Sequence, residues 1–383
     1  MKKRIFALAM VSTMGIMALV GCGPKYNEDY SVAMVTDYGD ITDESFNQAT
    51  YEAGKEWCKE NNVKFTYYRP SDDSDSERIK SIELAIDKGY NIMLLPGYAF
   101  APAIEATASK YPNVKFIAID VSKSDLLNAH FTDYDYDPDN PAWASYQIPS
   151  NVYCAVYQEE IAGYLAGYAA VKEGYTKFGF LGGMAVPAVV RFGYGYVQGI
   201  DDGAEGKEVE IKYVYGNQFF GDSDILAYVS QWYSTGTEVI FACGGGIYTS
   251  AGLAAKNHEG KKVIGVDTDQ SFIIDKNYGE GITLTSAMKG LGNTVKLKLK
   301  EIITDDDWHG GIVDVLGLVS GTDPSLNYVQ LPMDTWTMTK FTINNYKALV
   351  DKLYKGEITV HDSIVDKPTV SETTSVTYYP NIK

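Results

Sequence analysis

The sequence predicts an α/β protein with two doubly wound lobes, each built on a parallel sheet. Short apolar segments alternate with segments of helical spacing, and this alternation runs through two rounds. The length of 383 residues also exceeds what a single hydrophobic core usually organises. Two lobes imply a cleft between them.

The first round of alternation predicts a parallel sheet with helices on both faces. Its strand-like segments run from Val32 to Thr36, Lys64 to Tyr68, Ile92 to Leu95, Lys115 to Ile119 and Val152 to Val156. Its helical segments run from Glu44 to Glu60, Asp75 to Lys88, Ala101 to Lys110 and Glu159 to Lys172.

The second round repeats this order. Its strands are predicted from Phe178 to Leu181, Glu210 to Val214, Val239 to Ala242 and Val263 to Val266. Its helices are predicted from about Val189 to Asp202, Asp224 to Ser234 and Thr249 to Asn257. We expect one lobe to hold residues 31–155 and about 283–315, and the other to hold residues 156–282 and about 316–383.

The N-terminal segment has the features of a bacterial lipoprotein signal. Three cationic residues precede an apolar stretch from Ile5 to Val20, and Gly21 and Cys22 follow. About sixteen apolar residues are too few for a bilayer span, which needs roughly 20. We therefore expect a signal peptide over residues 1–21, lipidation at Cys22, and a tether over residues 22–30. The mature protein would then lie at the outer face of the cell membrane.

Charge and cysteine content exclude several function classes. The net charge of −17 argues against nucleic acid as a partner, because phosphate contacts need a basic surface. Cys58, Cys154 and Cys243 are odd in number and unpaired in spacing, which favours free buried thiols. The four histidines form no metal-ligand motif, so we expect neither a metal nor a cofactor.

An acidic segment over residues 132–149 interrupts the alternation. Aspartates at every second position resemble a calcium loop, but an EF-hand needs glycine and glutamate where this chain has Pro138 and Ala144. A solvated acidic loop, inserted between elements, is the favoured interpretation.

Polar residues and glycines follow the predicted strands. In doubly wound sheets, ligands bind outside the carboxyl ends of the strands. Any one such residue could simply belong to a turn, but several that point at one cleft favour a binding site. They are Asp37, Gly97, Tyr98, Asp120, Gly182, Gly183, Gly244, Gly245, Gly246 and Asp267.

The corner DYGDITDESFN, residues 37–47, has the chemistry of a binding site. We expect Asp43 to cap a helix that begins at Glu44, which places Phe46 and Asn47 in its first turn near Asp37. Phenylalanine can stack on a planar ligand, and asparagine both donates and accepts hydrogen bonds. The corner suits a nucleobase or a sugar, although the same residues could serve only as cap, core and turn.

Six segments closely resemble the basic membrane protein family. They are TDYGDITDESFNQATYEAG, LLPGYAFAPAIEATASKYPNVKFIAID, FLGGMAVPAVVRFGYGYVQGI, VIFACGGGIYTSAGLAAK, VIGVDTDQ and LTSAMKG. The members are lipoprotein substrate-binding components of ABC transporters, similar to the purine nucleoside receptors of spirochaetes. The resemblance runs from about Ser31 to Ile303. It implies a type I periplasmic-binding-protein fold, with a hinge crossed three times by the chain and an interlobe cleft.

The resemblance also implies roles for individual residues. Phe46 would stack on the base, and Asp37 and Asn47 would hydrogen-bond its edge. Asp120, Asp267 and Lys289 would hold the ribose hydroxyls, and the backbone of Gly244, Gly245 and Gly246 would close over the sugar.

The second stacking residue is ambiguous. The resemblance points to Phe220 before Asp222, but the chain departs from the family there with GNQFFGD, so Phe219 could take the role. Tyr98 stands where the family often has another aromatic residue. Lys289 and Arg191 are also ambiguous, because such side chains are usually solvated or form surface ion pairs.

We therefore expect a monomeric, lipid-anchored binding protein that captures a small ligand, with a purine nucleoside favoured, for an ABC permease. A sugar or another small polar ligand is the alternative within this class. A surface interaction protein is a second class. A nucleoside-cleaving enzyme is a third, but we can assemble neither a metal set nor a general acid with its nucleophile.

Overall fold

The computed structural model describes residues 26–37, 39–131 and 144–383. The predicted signal peptide, Cys22 and most of the acidic insertion lie outside these ranges. In the described part of the chain, no helix is both long and apolar enough to cross a bilayer. Cys58, Cys154 and Cys243 are buried free thiols, as predicted.

In the part of the chain that the structure describes, the first sheet has six strands, and all its neighbouring pairs are parallel. Its strands in chain order are β1 (Ser31–Val35), β2 (Lys64–Tyr68), β3 (Ile92–Pro96), β4 (Lys115–Ile119), β5 (Val152–Tyr157) and β11 (Ile312–Leu316). Across the sheet the order is β11-β5-β4-β3-β1-β2. The accompanying helices are α1 (Phe46–Glu60), α2 (Asp75–Asp87), α3 (Ala101–Thr107), α4 (Lys123–His130) and α10 (Leu291–Lys300).

Within the described ranges, the second sheet has seven strands in the order β12-β10-β9-β8-β6-β7-β13, and only the β10–β12 pair is antiparallel. Its strands are β6 (Lys177–Gly182), β7 (Val209–Tyr215), β8 (Val239–Cys243), β9 (Lys262–Asp267), β10 (Thr283–Lys289), β12 (Val329–Gln330) and β13 (Thr374–Tyr378). The accompanying helices are α5 (Glu159–Glu173), α6 (Pro187–Ala204), α7 (Ser223–Ser234), α8 (Tyr248–Lys256), α9 (Ser271–Tyr278) and α11 (Ile343–Tyr354). The two sheets confirm the predicted two doubly wound lobes.

Both faces of each sheet are buried. Successive residues of a strand point to opposite faces, so neighbouring residues enter different hydrophobic clusters. In β1, Val32 and Met34 belong to one hydrophobic cluster, whereas Ala33 and Val35 belong to another on the opposite face. Such double burial explains why central strands such as β3 and β8 are buried along their whole length rather than alternating with exposed polar residues.

The chain crosses between the sheets after β5, after β10 and after β11. The expected assignment of residues 283–289 to the first lobe is wrong, because β10 pairs in parallel with β9 of the second sheet. The second crossing follows Lys289, and α10 then packs against α1 of the first lobe. An apolar strand pattern does not reveal which of two sheets the strand joins.

Helices α5 and α6 pack so closely that backbone meets backbone. A Cβ added at Gly163 would lie 2.0 Å from the carbonyl oxygen of Phe192, and one at Gly195 would lie 1.9 Å from that of Glu160. Gly167 and Gly199 are equally confined. We call these four positions the glycine seam. Because α5 begins at Glu159 and α6 carries Arg191, the seam fixes the distance between two charged residues at the cleft.

We predict that Gly195→Ala lowers the free energy of unfolding by about 1–3 kcal/mol, because the added methyl group overpacks the seam. The loss would exceed the gain of about 1 kcal/mol in helix propensity that alanine brings. Urea titration would measure it. Gly203→Ala in the same helix is the control, since its added Cβ meets neighbours only at 3.3 Å or beyond. Equal stability of the two variants would contradict the prediction.

Candidate functional site

A cavity of about 430 Å³ lies between the two lobes, at the carboxyl ends of strands from both sheets. All twelve residues predicted to contact a ligand line this cavity. They are Asp37, Phe46, Asn47, Tyr98, Asp120, Phe219, Phe220, Gly244, Gly245, Gly246, Asp267 and Lys289. The structure therefore brings together residues that are up to about 250 positions apart in the sequence.

The first turn of α1 is organised by Asp43. The helix begins at Phe46 rather than at Glu44, and its N-cap residue is Ser45, so the predicted position of the cap is wrong. Asp43 still satisfies the free N–H groups of this end, since its carboxylate accepts from the backbone of Ser45, Asn47 and Gln48 at 2.9–3.0 Å. Burial nevertheless raises the pKa of Asp43 to about 6.

Asp37 and Tyr98 form the adjacent part of the first-lobe wall. The carboxylate of Asp37 accepts from the backbone N–H of Gly39 at 2.6 Å. It also lies against Gly97, where a Cβ would come within 3.2 Å of its oxygen. Gly97 has a φ of 121°, which favours glycine, so the close approach of Asp37 depends on this residue type. The Tyr98 ring is half-buried beside it.

Strand β4 of the first sheet and strand β9 of the second sheet both lead into an aspartate with left-handed backbone. Asp120 follows β4 with a φ of 58°, and Asp267 ends β9 with a φ of 66°. Left-handed backbone is costly for residues other than glycine, although aspartate tolerates it better than most. Strain of this kind is concentrated at functional sites. It places one carboxylate from each lobe in the cavity.

The second-lobe wall is built from the glycine loop, residues 244–246, and the aromatic loop, residues 216–222. The N–H of Gly246 donates to the carbonyl of Phe219 at 2.9 Å. A Cβ at Gly183 would lie 2.5 Å from the Phe219 ring, and one at Gly244 would lie 3.0 Å from it. Glycines therefore make room for the half-buried Phe219 ring, whereas the Phe220 ring is 61% exposed.

Lys289 lies at the centre of a buried cluster of charges. Its ammonium is 2.5 Å from Asp120, 3.3 Å from Glu159 and 3.9 Å from Asp267. It also lies 4.9 Å from the centroid of the Phe46 ring. Its side chain is only 3% exposed, so the solvated position usual for lysine does not apply here.

Burial and charge pairing act against each other in this cluster. Burial disfavours the charge of Lys289, but the carboxylates of Asp120, Glu159 and Asp267 outweigh it and raise the pKa of this lysine. Burial raises the pKa of Asp120 to about 6, because the attraction of Lys289 offsets only part of the penalty. Burial likewise raises the pKa of Asp267.

Sequence reasoning missed Glu159 and left Arg191 undecided. Glu159 is fully buried, and its carboxylate accepts from Arg191 Nε at 2.6 Å while it also contacts Lys289. Burial opposes its charge, but Arg191 and Lys289 prevail and lower the pKa of Glu159. Arg191 lines the cavity rather than the surface. The rule that acidic residues follow strands could have found Glu159, which comes two residues after β5.

Two buried acceptor atoms in the cavity wall have no hydrogen-bond partner among the residues that the structure describes. They are Oδ1 of Asn47 and Oδ1 of Asp120. A buried polar atom without a partner costs about 1–3 kcal/mol, so such atoms need an explanation. The second polar atom of each side chain does form a hydrogen bond, because Asn47 Nδ2 donates to Asp43 and Asp120 Oδ2 accepts from Lys289. Both free acceptors are thus held in place for a donor.

The two lobes also touch each other beside the cavity. Ser45 of the first lobe donates to Asp267 of the second at 2.6 Å. The carbonyl oxygen of Glu44 accepts from Gln270 at 3.1 Å and from Thr268 at 3.3 Å. These bonds connect the lobes around the cavity and describe a closed arrangement.

Comparison with known proteins identifies the family. The model of the Bmp family, described as ABC transporter substrate-binding protein PnrA-like, matches residues 30–362. The chain belongs to this family. It is therefore an ABC transporter substrate-binding protein, a role that implies a small-molecule ligand and a permease as partners. The resemblance drawn from the six segments is confirmed.

Curated relatives agree with this membership. The chain is 28% identical over 345 residues to the ABC transporter nucleoside-binding protein BmpA of Lactococcus lactis subsp. cremoris, covering 84% of this chain and 90% of that one. It is 30% identical over 296 residues to basic membrane protein B of Borreliella burgdorferi, covering 76% and 79% of the two chains.

Solved structures support the fold. A solute-binding protein of an ABC transporter system from Aeropyrum pernix superposes with a TM-score of 0.63 and 19% identity, covering 86% of this chain and 87% of that one. Its counterpart from Conexibacter woesei gives 0.64 at 19% identity, covering 87% and 99%. The expected two-lobed periplasmic-binding fold is thereby confirmed. Within the described ranges no group of His, Cys, Asp and Glu could hold a metal ion.

We predict that Lys289→Met lowers the free energy of unfolding by about 3–5 kcal/mol, because it leaves buried carboxylates without their cation. Chemical denaturation at pH 7 would measure the loss. Lys296→Met is the control, since Lys296 pairs with Glu56 on the surface, where an ion pair contributes only about 0–1 kcal/mol. Similar losses in the two variants would show that the cluster does not stabilise the fold.

A second prediction concerns Glu160, which is 4% exposed and whose Oε2 has no hydrogen-bond partner among the described residues. Burial, together with the adjacent Glu159, raises the pKa of Glu160 from 4.5 to about 8. Between these values the unfolded chain has already lost this proton, whereas the folded protein keeps it. Stability therefore falls as the pH rises through this window.

We expect the melting temperature to fall from pH 6 to pH 9 in the wild type and to fall less in Glu160→Gln. Thermal unfolding at several pH values would test this. Glu60→Gln, at an exposed position, should keep the wild-type profile. If Glu160→Gln keeps it too, then Glu160 does not titrate as inferred.

Proposed function

We propose that this protein captures a nucleoside, with a purine favoured, in the cavity between its lobes. The observation that carries the proposal is the pair of buried acceptors without a partner, Asn47 Oδ1 and Asp120 Oδ1, in the same cavity wall as the half-buried Phe46 ring. A nucleoside offers what these groups lack: a planar ring to stack, donors on the base edge, and hydroxyl donors on the sugar.

Stacking would hold the base between the lobes. Phe46 belongs to the first lobe and the aromatic loop to the second, so both walls carry phenylalanine rings. Phe220 is the better second partner, because its ring is exposed whereas Phe219 is confined by glycines. Asp37 and Asn47 line the same cavity as Phe46 and would bind the base edge.

The sugar would lie towards Lys289. Asp120 and Asp267 carry carboxylates from both lobes, and hydroxyl groups are good donors to such oxygens. Among its described residues, the cavity wall has six aspartates and three cationic residues, Arg69, Arg191 and Lys289. This excess of negative charge would repel a phosphate group, so an uncharged nucleoside suits the cavity better than a nucleotide.

The relative from Lactococcus lactis is named a nucleoside-binding protein, which supports the same ligand class here. We further propose that the protein is a monomer without enzymatic activity, anchored through a lipid at Cys22 on the extracytoplasmic face. The closed form would then deliver its ligand to the permease, with binding energy that favours closure over the open form.

A thermal-shift screen tests the proposal. A soluble form from Lys25 onward would be heated with nucleosides, free bases, sugars and amino acids in turn. A ligand at a hundred times its dissociation constant stabilises the folded state by about 2.7 kcal/mol, which raises the melting temperature measurably. A shift with guanosine, inosine or adenosine, but not with ribose or free bases, is the expected result. A shift with sugars alone would overturn the nucleoside assignment.

We predict that Phe46→Ala weakens nucleoside binding roughly ten- to a hundredfold, because base–aromatic stacking contributes about 1–3 kcal/mol. Calorimetric titration would measure the affinity. Phe272→Ala is the matched control, since Phe272 is a 55% exposed phenylalanine of α9 outside the cavity wall. Wild-type affinity in Phe46→Ala would contradict the stacking role.

A further inference from the structure

Residues 363–383 follow the part of the chain that the family model matches, and they extend the second sheet. Strand β13 pairs in parallel with β7, from Thr374 opposite Val209 to Tyr378 opposite Tyr213. Beyond β13, the N–H of Tyr379 donates to the carbonyl of Tyr213 at 2.8 Å. The N–H of Ile382 donates to the carbonyl oxygen of Tyr215 at 2.9 Å. The segment therefore follows β7 to its carboxyl end.

The aromatic loop begins where β7 ends, and the C-terminal segment contacts it directly. The Lys383 ammonium forms an ion pair with Asp222 and lies 3.8 Å from the carboxylate of Asp224. Asp222 is the N-cap of α7. The N–H of Ile225, followed by Lys383, lowers the pKa of Asp222 to about 2, so this partner is charged at any physiological pH.

One further side chain connects the ion pair to the cavity wall. The Nε2 of Gln218 donates to Asp222 at 2.8 Å and to the carbonyl of Phe220 at 2.9 Å. Contacts thus run without a gap from Lys383 through Asp222 and Gln218 to the backbone of Phe220.

The opposite side of the loop is held by the body of the second lobe. Gly246 donates to the carbonyl of Phe219, and Ser250 Oγ donates to the carbonyl of Asp222 at 3.0 Å. The aromatic loop is therefore fixed between the glycine loop with α8 on one side and the C-terminal segment on the other.

We propose that residues 379–383 are a positioning element for the aromatic loop. Lys383 and the backbone N–H of Ile382 keep Phe219 and Phe220 in the geometry of the cavity wall, and so contribute to ligand affinity without contact with the ligand. The effect on affinity rests on the proposed nucleoside function, whereas the effect on the loop does not.

The test compares two variants with matched controls in the full-length protein, purified in detergent. Lys383→Ala removes the ion pair, and Ile382→Pro removes the N–H that bonds Tyr215. Lys367→Ala and Ile382→Ala are the controls, because Lys367 contacts Tyr378 instead and alanine keeps the N–H. Lys383→Arg should rescue the ion pair.

Amide hydrogen exchange of the ligand-free protein gives the first readout. We expect faster exchange in residues 216–222 for Lys383→Ala and Ile382→Pro, with the core strands and the melting temperature close to wild type. We expect wild-type exchange for both controls and for Lys383→Arg. Unchanged exchange in residues 216–222 in both variants would overturn the proposal, whether or not a nucleoside binds.

Calorimetry with the nucleoside selected in the screen gives the second readout. We expect a roughly three- to fivefold loss of affinity in Lys383→Ala, as for an exposed ion pair. Equal affinity despite faster loop exchange would overturn the contribution to binding. If exchange rises but the wild type binds no nucleoside, the positioning role is supported and the proposed function is what fails.

Discussion

One ammonium group connects parts of the chain that come from both lobes. Lys289 ends β10 in the second sheet, immediately before the chain crosses to the first lobe, and it contacts Asp120 at the end of β4. Its other neighbours are Glu159 at the start of α5 and Asp267 at the end of β9. The side chains of these three acidic residues are at most 13% exposed, so each charged carboxylate depends on a nearby cation, and Lys289 is the cation that all three share.

Backbone conformation completes the site that this cation organises. Asp120 and Asp267 reach the cavity from left-handed backbone, while glycines at positions 97, 244 and 245 allow side chains and loops to approach closely. The wall therefore owes its shape to residues with unusual φ angles as much as to the groups that would contact a ligand. This is the pattern expected where function rather than stability determines the local conformation.

Much of this arrangement could be predicted from the sequence. The strand and helix order followed from apolar periodicity, and the position of the cavity-lining residues followed from the rule that sites lie at the carboxyl ends of strands. The sheet membership of β10 could not be predicted, because central strands of either sheet are buried in the same way and the local sequence does not show which neighbour a strand pairs with.

The charged residues show the same limit at the level of single side chains. Glu159 has the sequence position of an ordinary acidic residue in the first turn of a helix, where the helix dipole favours it. Only the packing of α5 against α6 shows that it is buried and paired with Arg191. Arg191 lies in a helix whose sequence does not distinguish its cavity side from a solvent side. Burial arises from tertiary contacts, which local spacing does not encode.

The glycine seam has a consequence for how this lobe can change over evolutionary time. Where side chains separate two helices, a substitution on one can be compensated by a smaller or larger partner on the other. In the seam, carbonyl oxygens take the place of such partners, and a peptide group cannot be exchanged for a smaller one. Substitutions in the loops around the cavity can therefore change ligand preference, whereas no pair of compensating substitutions can adjust the distance between α5 and α6.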